Sequence, residues 1–261
     1  MPSPSALFPG FMVAAHRGGA LHPDNLGREN TIHAFRTAVD LGYRYVETDV
    51  RTTADGKLVI HHDADLERVT DRGGEIRSLP LAEVRRARVG GVDQIPTLDE
   101  ALEEFPDVRF LIDIKDPPGA AALAERLTAH NAWDRVSVGS FGIRRLARFR
   151  RAAGARGTTA ADPLHVVSAM YLPRRLRSLV PGRPAAFQVP IQWRLRRSRV
   201  AVLTPAFISA VHAAGAVVHV WTVNNTDDLH RVIDLSVDGV VTDAIDIAKE
   251  VLIERGMWED Q

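Results

Sequence analysis

Residues 45–62 read YVETDVRTTADGKLVIHH, and the spacing within this stretch decides the architecture. Residues 45–50 and 58–60 are both strand-like apolar runs. The connection between them is far shorter than the dozen or more residues that a parallel crossover takes. Asp55-Gly56 lies midway and favours a two-residue hairpin turn, which would place Asp49 opposite His62. This pair is the exception in the chain. Further apolar runs at 11–15, 110–114, 136–138, 157–160, 186–189, 217–220 and 239–241 are mostly separated by helix-period segments. Many are continuously apolar rather than alternating, as strands buried on both faces are.

The helical segments carry start signals. Asn30-Thr31 precedes a stripe of Ile32, Phe35 and Val39. Thr97 and Glu100 are spaced as a capping box, and Thr204-Pro205 reads as an N-cap with proline at the first helical position. Strand–helix units repeated this often predict a parallel sheet closed into a TIM-type (β/α)8 barrel, with residues 45–62 supplying a β-hairpin arm. A chain of 261 residues suits one such domain, spanning 1–261 with a core of 12–248. Residues 63–95 are polar and punctuated by glycine, which suggests a small cap insertion. Residues 173–199 carry Arg174, Arg175, Arg177, Arg194, Arg196, Arg197 and Arg199. They read as a solvated face, with steering of anionic substrates or peripheral contact with lipid headgroups as the second reading.

Composition excludes several classes. There are 33 basic and 33 acidic residues, so no net charge pulls the chain toward nucleic acid. No cysteine is present, which removes disulfides, thiolate metal sites and a cysteine nucleophile and is compatible with a cytoplasmic location. Residues 1–10 lack a basic stretch followed by a long apolar one, so no signal peptide is expected, and no apolar run suits a transmembrane segment.

In a parallel barrel the chemistry gathers at the C-terminal strand ends. Those ends hold His16-Arg17-Gly18-Gly19, Glu47 and Asp49, His62-Asp63, Asp113 and Lys115, Ser140, Trp221 and Thr242-Asp243. Glu47 and Asp49 are two apart and share a strand face, as do Asp113 and Lys115. Three carboxylates converging on one mouth repel unless paired. A hard divalent cation, Mg2+ or Ca2+, would relieve that repulsion. His16 and His62 end two different strands and suit proton transfer near neutral pH. Arg17 and Lys115 would contact phosphate oxygens, and Trp221 would either pack against a glycerol or sugar moiety or simply close the barrel mouth. His219, inside a strand, reads as a core histidine with its hydrogen bonds satisfied.

Taken in order, these motifs resemble the glycerophosphodiester phosphodiesterase family. The matching stretches are His16-Arg17-Gly18, Glu29-Asn30-Thr31, Glu47-Thr-Asp49-Val50, Asp55-Gly56, His62-Asp63 with Leu66, Arg68 and Thr70, Asp113-Ile-Lys115, Ser140-Phe141, Trp221-Thr222-Val223-Asn224, and Val237-Asp238-Gly239 with Thr242-Asp243. The resemblance implies a phospholipase-C-like phosphodiesterase barrel that cleaves glycerophosphodiesters to an alcohol and sn-glycerol 3-phosphate. It implies His16 and His62 as the acid–base pair and Glu47, Asp49 and Asp113 as ligands of one divalent cation. Arg17 and Lys115 would meet the phosphate, and Glu29 would line the glycerol side. This chain departs from the family pattern at Asp113, where glutamate is usual, at Arg28, where proline is usual, and in a longer segment at 20–27. Competing readings are a lysophospholipase D-like activity on the same fold, another metal-dependent barrel hydrolase, and a non-catalytic barrel that binds phosphorylated ligands.

Overall fold

The computed structural model describes residues 7–258 apart from 178, 196 and 197. Arg196 and Arg197 of the arginine-rich segment, and residues 1–6 of the N-terminal stretch, therefore lie outside the described residues. In chain order the strands are β1 (Met12–His16), β2 (Tyr45–Thr52), β3 (Leu58–Ile60), β4 (Arg88–Val89), β5 (Asp93–Gln94), β6 (Arg109–Ile114), β7 (Val136–Gly139), β8 (Thr158–Thr159), β9 (Ala186–Val189), β10 (Gln192–Leu195), β11 (Ser198–Ala201), β12 (Val217–Val220) and β13 (Gly239–Thr242). Eight of them pair in parallel in the order β8-β7-β6-β2-β1-β13-β12-β9, and a parallel bridge between Ala160 and Ala186 joins the two ends of that row. The result is the expected eight-stranded barrel.

Ten α-helices lie among the described residues: α1 (Ile32–Asp40), α2 (Leu81–Val84), α3 (Leu98–Glu104), α4 (Gly119–Ala129), α5 (Ile143–Ala153), α6 (Pro163–Tyr171), α7 (Arg174–Arg177), α8 (Pro205–His212), α9 (Thr226–Asp234) and α10 (Ile245–Glu254). The predicted caps form. The Thr31 hydroxyl accepts from Ala34 N at 3.1 Å, and Thr97 with Glu100 makes the reciprocal capping box that opens α3. No described helix is long and apolar enough to cross a membrane.

The core divides by strand face. Residues on the outer face pack against helices, for instance Val46 and Ile112 on one side of the ring and Val218 and Val240 on the other. Inside the barrel, Met12, Ala14, Tyr45, Leu111, Ala186 and Val241 fill the lower layers, with Leu7 and Phe8 packed into the same cluster. The Tyr45 hydroxyl donates to Leu7 O at 2.7 Å, which ties the N-terminal turn across the barrel floor. Apolar side chains thus occupy the bottom and leave the C-terminal end for polar groups. The stretch 63–95 does form a cap, with a small core of its own from Leu66, Ile76, Val84, Ala87, Val89 and Ile95.

Two expectations need correction. The hairpin arm pairs Val50 with Ile60, Arg51 with Val59 and Thr52 with Leu58, and His61 N donates to Asp49 O at 3.1 Å. Asp49 therefore faces His61, not His62. The turn holds three residues rather than two, with Gly56 at φ 76° and Thr53 N bonded to Lys57 O at 2.9 Å. One extra turn residue shifts the register by one. His219 is fully buried as expected, but neither ring nitrogen has a hydrogen-bond partner. Its closest aromatic contact is Phe8, edge-on at 4.6 Å, which offers no acceptor or donor to either nitrogen.

Candidate active site

Adjacent strands deliver the polar groups. On β2, Tyr45, Glu47 and Asp49 alternate onto one face, so a single column runs from the apolar floor to the charged mouth. β6 repeats the pattern with Leu111 and Asp113, His16 ends β1, and Lys115 directly follows β6. Together with Arg17 and His62 these side chains line one end of a cavity of about 420 Å³. The other end is apolar, walled by Ala161, Pro163, Val166, Pro190, Trp193 and Trp221. Phe141 meets the Trp221 ring edge-on at 5.7 Å.

Lys115 pairs with two of the carboxylates. Its ammonium donates to Asp49 Oδ1 at 2.8 Å and to Asp113 Oδ2 at 2.7 Å. Asp49 also accepts from Asn30 Nδ2 at 2.9 Å, and Arg17 Nε stands 3.6 Å from its Oδ2. Burial alone would push the Asp49 carboxyl up, but Lys115 and Arg17 outweigh it and hold that carboxyl below the ordinary range. At Asp113 burial wins over Lys115, and the carboxyl is pushed up. Glu47 is pushed up to about 7 by burial and by the neighbouring Asp49.

Glu47 Oε2 and Asp113 Oδ1 are buried without a hydrogen-bond partner. Orphaned carboxylate oxygens beside Asp49 are the donors a hard divalent ion takes, so the residues present fit such an ion. Without an ion the three carboxylates do not converge on one point. Among the described residues no three acidic or histidine side chains form a ready ligand cage. The ammonium of Lys115 stands between Asp49 and Asp113 because two buried carboxylates need positive charge close by.

The two histidines share one arrangement. His16 Nδ1–H donates to Asp243 Oδ1 at 2.5 Å, and its Nε2 lies 3.6 Å from Glu47 Oε2. Burial opposes the charge on His16, but Glu47 and Asp243 outweigh it and raise its pKa. Asp243 is in turn fixed by Asn224, whose amide donates to Oδ2 at 2.8 Å. His62 Nδ1–H donates to Asp63 Oδ1 at 2.7 Å, and burial leaves its pKa below the ordinary value despite Asp49 and Asp63. Asp63 itself is held at about 2: burial opposes this, but His62 and Arg68 prevail. Tying each Nδ1 to a carboxylate fixes the ring and leaves Nε2 free to exchange a proton.

Glu29 does not line the cavity. It accepts from Arg17 Nη1 at 2.8 Å and from both terminal nitrogens of Arg68 at 2.9 and 2.7 Å, so it holds Arg17 in place from behind. The turn after β1 is shaped by packing: a Cβ on Gly18 would meet Ala34 Cβ at 2.8 Å, and one on Gly19 would meet Ile245 Cδ1 at 2.5 Å. Sequence reasoning gave Asp243 and Asp63 no role, although each ends a strand or turn beside a histidine. Closure of the barrel sets β13 beside β1, and that adjacency was the available signal for Asp243. Arg145, which donates to Lys115 O at 2.7 Å from the first turn of α5, carried no sequence signal.

Comparison with known proteins agrees with this picture. The model of the glycerophosphoryl diester phosphodiesterase family matches residues 16–247. A Mycobacterium tuberculosis protein named "Probable glycerophosphodiester phosphodiesterase 2" is 39% identical, over 96% of this chain and 94% of its own length. The glycerophosphodiester phosphodiesterase of Caldanaerobacter subterraneus is 27% identical, over 89% of this chain and 93% of its own. Among solved structures, an Oleispira antarctica phosphodiesterase in complex with the product sn-glycerol-3-phosphate superposes with a TM-score of 0.79 at 25% identity, covering 96% of this chain and 99% of that one.

Proposed function

Because the chain belongs to the glycerophosphoryl diester phosphodiesterase family, we propose that it hydrolyses glycerophosphodiesters to an alcohol and sn-glycerol 3-phosphate, with one divalent cation, Mg2+ or Ca2+, and with His16 and His62 as the proton-transfer pair. The observation that carries this reading is one cavity in which two carboxylate-anchored imidazoles stand beside Glu47, Asp49, Asp113, Arg17 and Lys115. The whole barrel with its cap acts as one domain in this account.

Arg17 and Lys115 bind the non-bridging phosphate oxygens, and Glu29 keeps the Arg17 guanidinium aimed at them. Glu47, Asp49 and Asp113 would hold the cation, which when bound polarises the phosphoryl oxygens and offsets charge that develops there. One imidazole Nε2 accepts the proton of the attacking hydroxyl, and the other donates a proton to the departing alkoxide. The attacking group is water or the substrate's own glycerol hydroxyl; in the second case a cyclic phosphate forms first and water opens it with the two histidines exchanging roles. Asp243 and Asp63 keep Nδ1 protonated, so each Nε2 is the atom that exchanges. Trp221 packs against the carbon face of the glycerol.

A coupled assay for glycerol 3-phosphate release from glycerophosphocholine, run with Mg2+, Ca2+ or EDTA, tests the reading. Release in either metal and its loss in EDTA are expected. His16→Ala and His62→Ala should each lower turnover by about 10²–10⁴ with little change in KM. Full turnover in EDTA after dialysis would remove the metal from the account, and no release under any condition would remove the activity. The apolar half of the cavity favours one second reading, a lysophospholipase D-like reaction in which that wall holds an acyl chain. Supplying a lysophosphatidylcholine in place of glycerophosphocholine and measuring choline release, with lysophosphatidic acid as the other product, separates the two.

A further inference from the structure

Between Pro163 and Thr226 the chain contains no aspartate, glutamate or lysine, yet it holds eight arginines. In a chain with equal numbers of acidic and basic residues, that segment carries a net positive charge that acidic residues elsewhere in the sequence offset. The same segment holds half of the large apolar residues that are exposed among the described residues. Six of the twelve large apolar residues that are exposed among the described residues fall between 164 and 179: Leu164, Val167, Tyr171, Leu172, Leu176 and Leu179. Scattered exposed leucines need no explanation, but a run of them does.

The pattern on α6 (Pro163–Tyr171) is inverted relative to an ordinary surface helix. Its inner face buries Val166 and Ala169 in the cluster that holds Phe207 and Val211. Its outer positions Leu164, Val167 and Tyr171 recur at helical spacing and are 49%, 43% and 65% exposed. By contrast α5 (Ile143–Ala153) turns arginines outward and keeps Leu146 and Phe149 inward. The chain then continues through α7 (Arg174–Arg177), which packs on α6 and carries the exposed Leu176 among arginines, with the exposed Leu172 before it and Leu179 after it. Arg174 and Arg183 are exposed.

We propose that this face, α6 with α7 and residues 172–177 and 179–183, docks on an anionic lipid bilayer, its leucines and Tyr171 entering the interface and the exposed Arg174 and Arg183 meeting the headgroup phosphates. Apolar residues set among arginines match the chemistry of such a surface, the adjoining Asp162 being buried and paired with Arg150, and each basic residue beside it raises partitioning about five-fold. A second copy of the chain fits less well, because a twofold contact would set the exposed Arg174 and Arg183 of one copy against the same residues of the other. The surface is continuous with the cavity through α6, since Pro163 and Val166 line the cavity's apolar wall. Docking would therefore bring that wall to the membrane. Access to a single-chain phosphodiester lying there rests on the phosphodiesterase reading; the docking itself does not.

Vesicle flotation of the full chain tests this without measuring turnover. Vesicles of phosphatidylcholine mixed with phosphatidylglycerol should carry the protein up the gradient, and phosphatidylcholine alone should not. The pairs Leu176→Glu with Leu179→Glu, and Arg174→Glu with Arg183→Glu, should each cut binding at least ten-fold. All four side chains lie outside the cavity, so hydrolysis of soluble glycerophosphocholine should be unchanged. Equal flotation with neutral and anionic vesicles, full binding by both paired variants, or no flotation at all would each overturn the proposal. So would self-association in the absence of vesicles that the leucine variants abolish, which would assign the face to a second copy.

Discussion

Replacing Lys115 with methionine separates the electrostatics of the site from its chemistry. The ammonium lies 2.8 Å from Asp49 and 2.7 Å from Asp113, and Asp49 is buried. Methionine keeps most of the side-chain length but leaves both carboxylates without that partner. Removing one member of a buried ion pair costs about 3–5 kcal/mol. For a domain of this size each kcal/mol lowers Tm by about 2–4 °C, so a fall of about 6–20 °C is expected in EDTA. If Glu47, Asp49 and Asp113 hold a divalent ion, adding Ca2+ or Mg2+ should recover much of that loss: an ion at a hundred times its Kd contributes about 2.7 kcal/mol. Differential scanning fluorimetry of Lys115→Met in EDTA and in each metal reads both effects. Adding Asp113→Asn to the same variant should recover part of the loss without metal. Activity of the folded variant should fall at least ten-fold, because the phosphate loses a charged donor. Equal melting temperatures of Lys115→Met and the parent in EDTA would refute the ion-pair argument. An equal deficit with and without metal would refute the assignment of these carboxylates to a cation.

Other perturbations reach different parts of the account. Asp243→Asn should lower turnover about 10–100-fold by freeing the His16 ring while leaving Tm nearly unchanged, and steady-state kinetics with a melting curve checks both. His219 has its pKa lowered by burial from 6.5 to about 3, so the unfolded chain takes up the proton first and stability falls as pH drops from 6.5 toward 3. His219→Leu should remove that contribution and flatten the fall in Tm across that window; an unaltered slope would show that other groups set it. Gly19→Ala should destabilise by about 1–3 kcal/mol through its φ of 90° and the clash with Ile245, measured by urea unfolding.

The barrel was legible because its signals are local and periodic. Continuous apolar runs, the capping box at Thr97 and a connection too short to cross over each reflect backbone rules that act within a few residues. The same locality explains the register error. A glycine after aspartate suits both a two-residue and a three-residue turn, and only the left-handed Gly56 with the Thr53–Lys57 bond distinguishes them. At the site, strand-end position and two-residue spacing were enough to bring His16, Glu47, Asp49, Asp113 and Lys115 to one cavity. Partners fixed by barrel closure were harder to read. Asp243 reaches His16 only because β13 pairs with β1, and Glu29 reaches Arg68 only because the cap folds back over the mouth. The unpaired nitrogens of His219 had no sequence signal, since a buried strand position says nothing of what faces it across the barrel.

The bond that breaks is the most direct test of the central claim. Phosphorus NMR of glycerophosphocholine incubated with the protein and Ca2+ or Mg2+ distinguishes the products without a coupling enzyme. The account predicts that the diester resonance gives way to that of sn-glycerol 3-phosphate, with choline released, and that His16→Ala and His62→Ala stop the conversion. Phosphocholine and glycerol as products, or an unchanged diester in both metals, would contradict it.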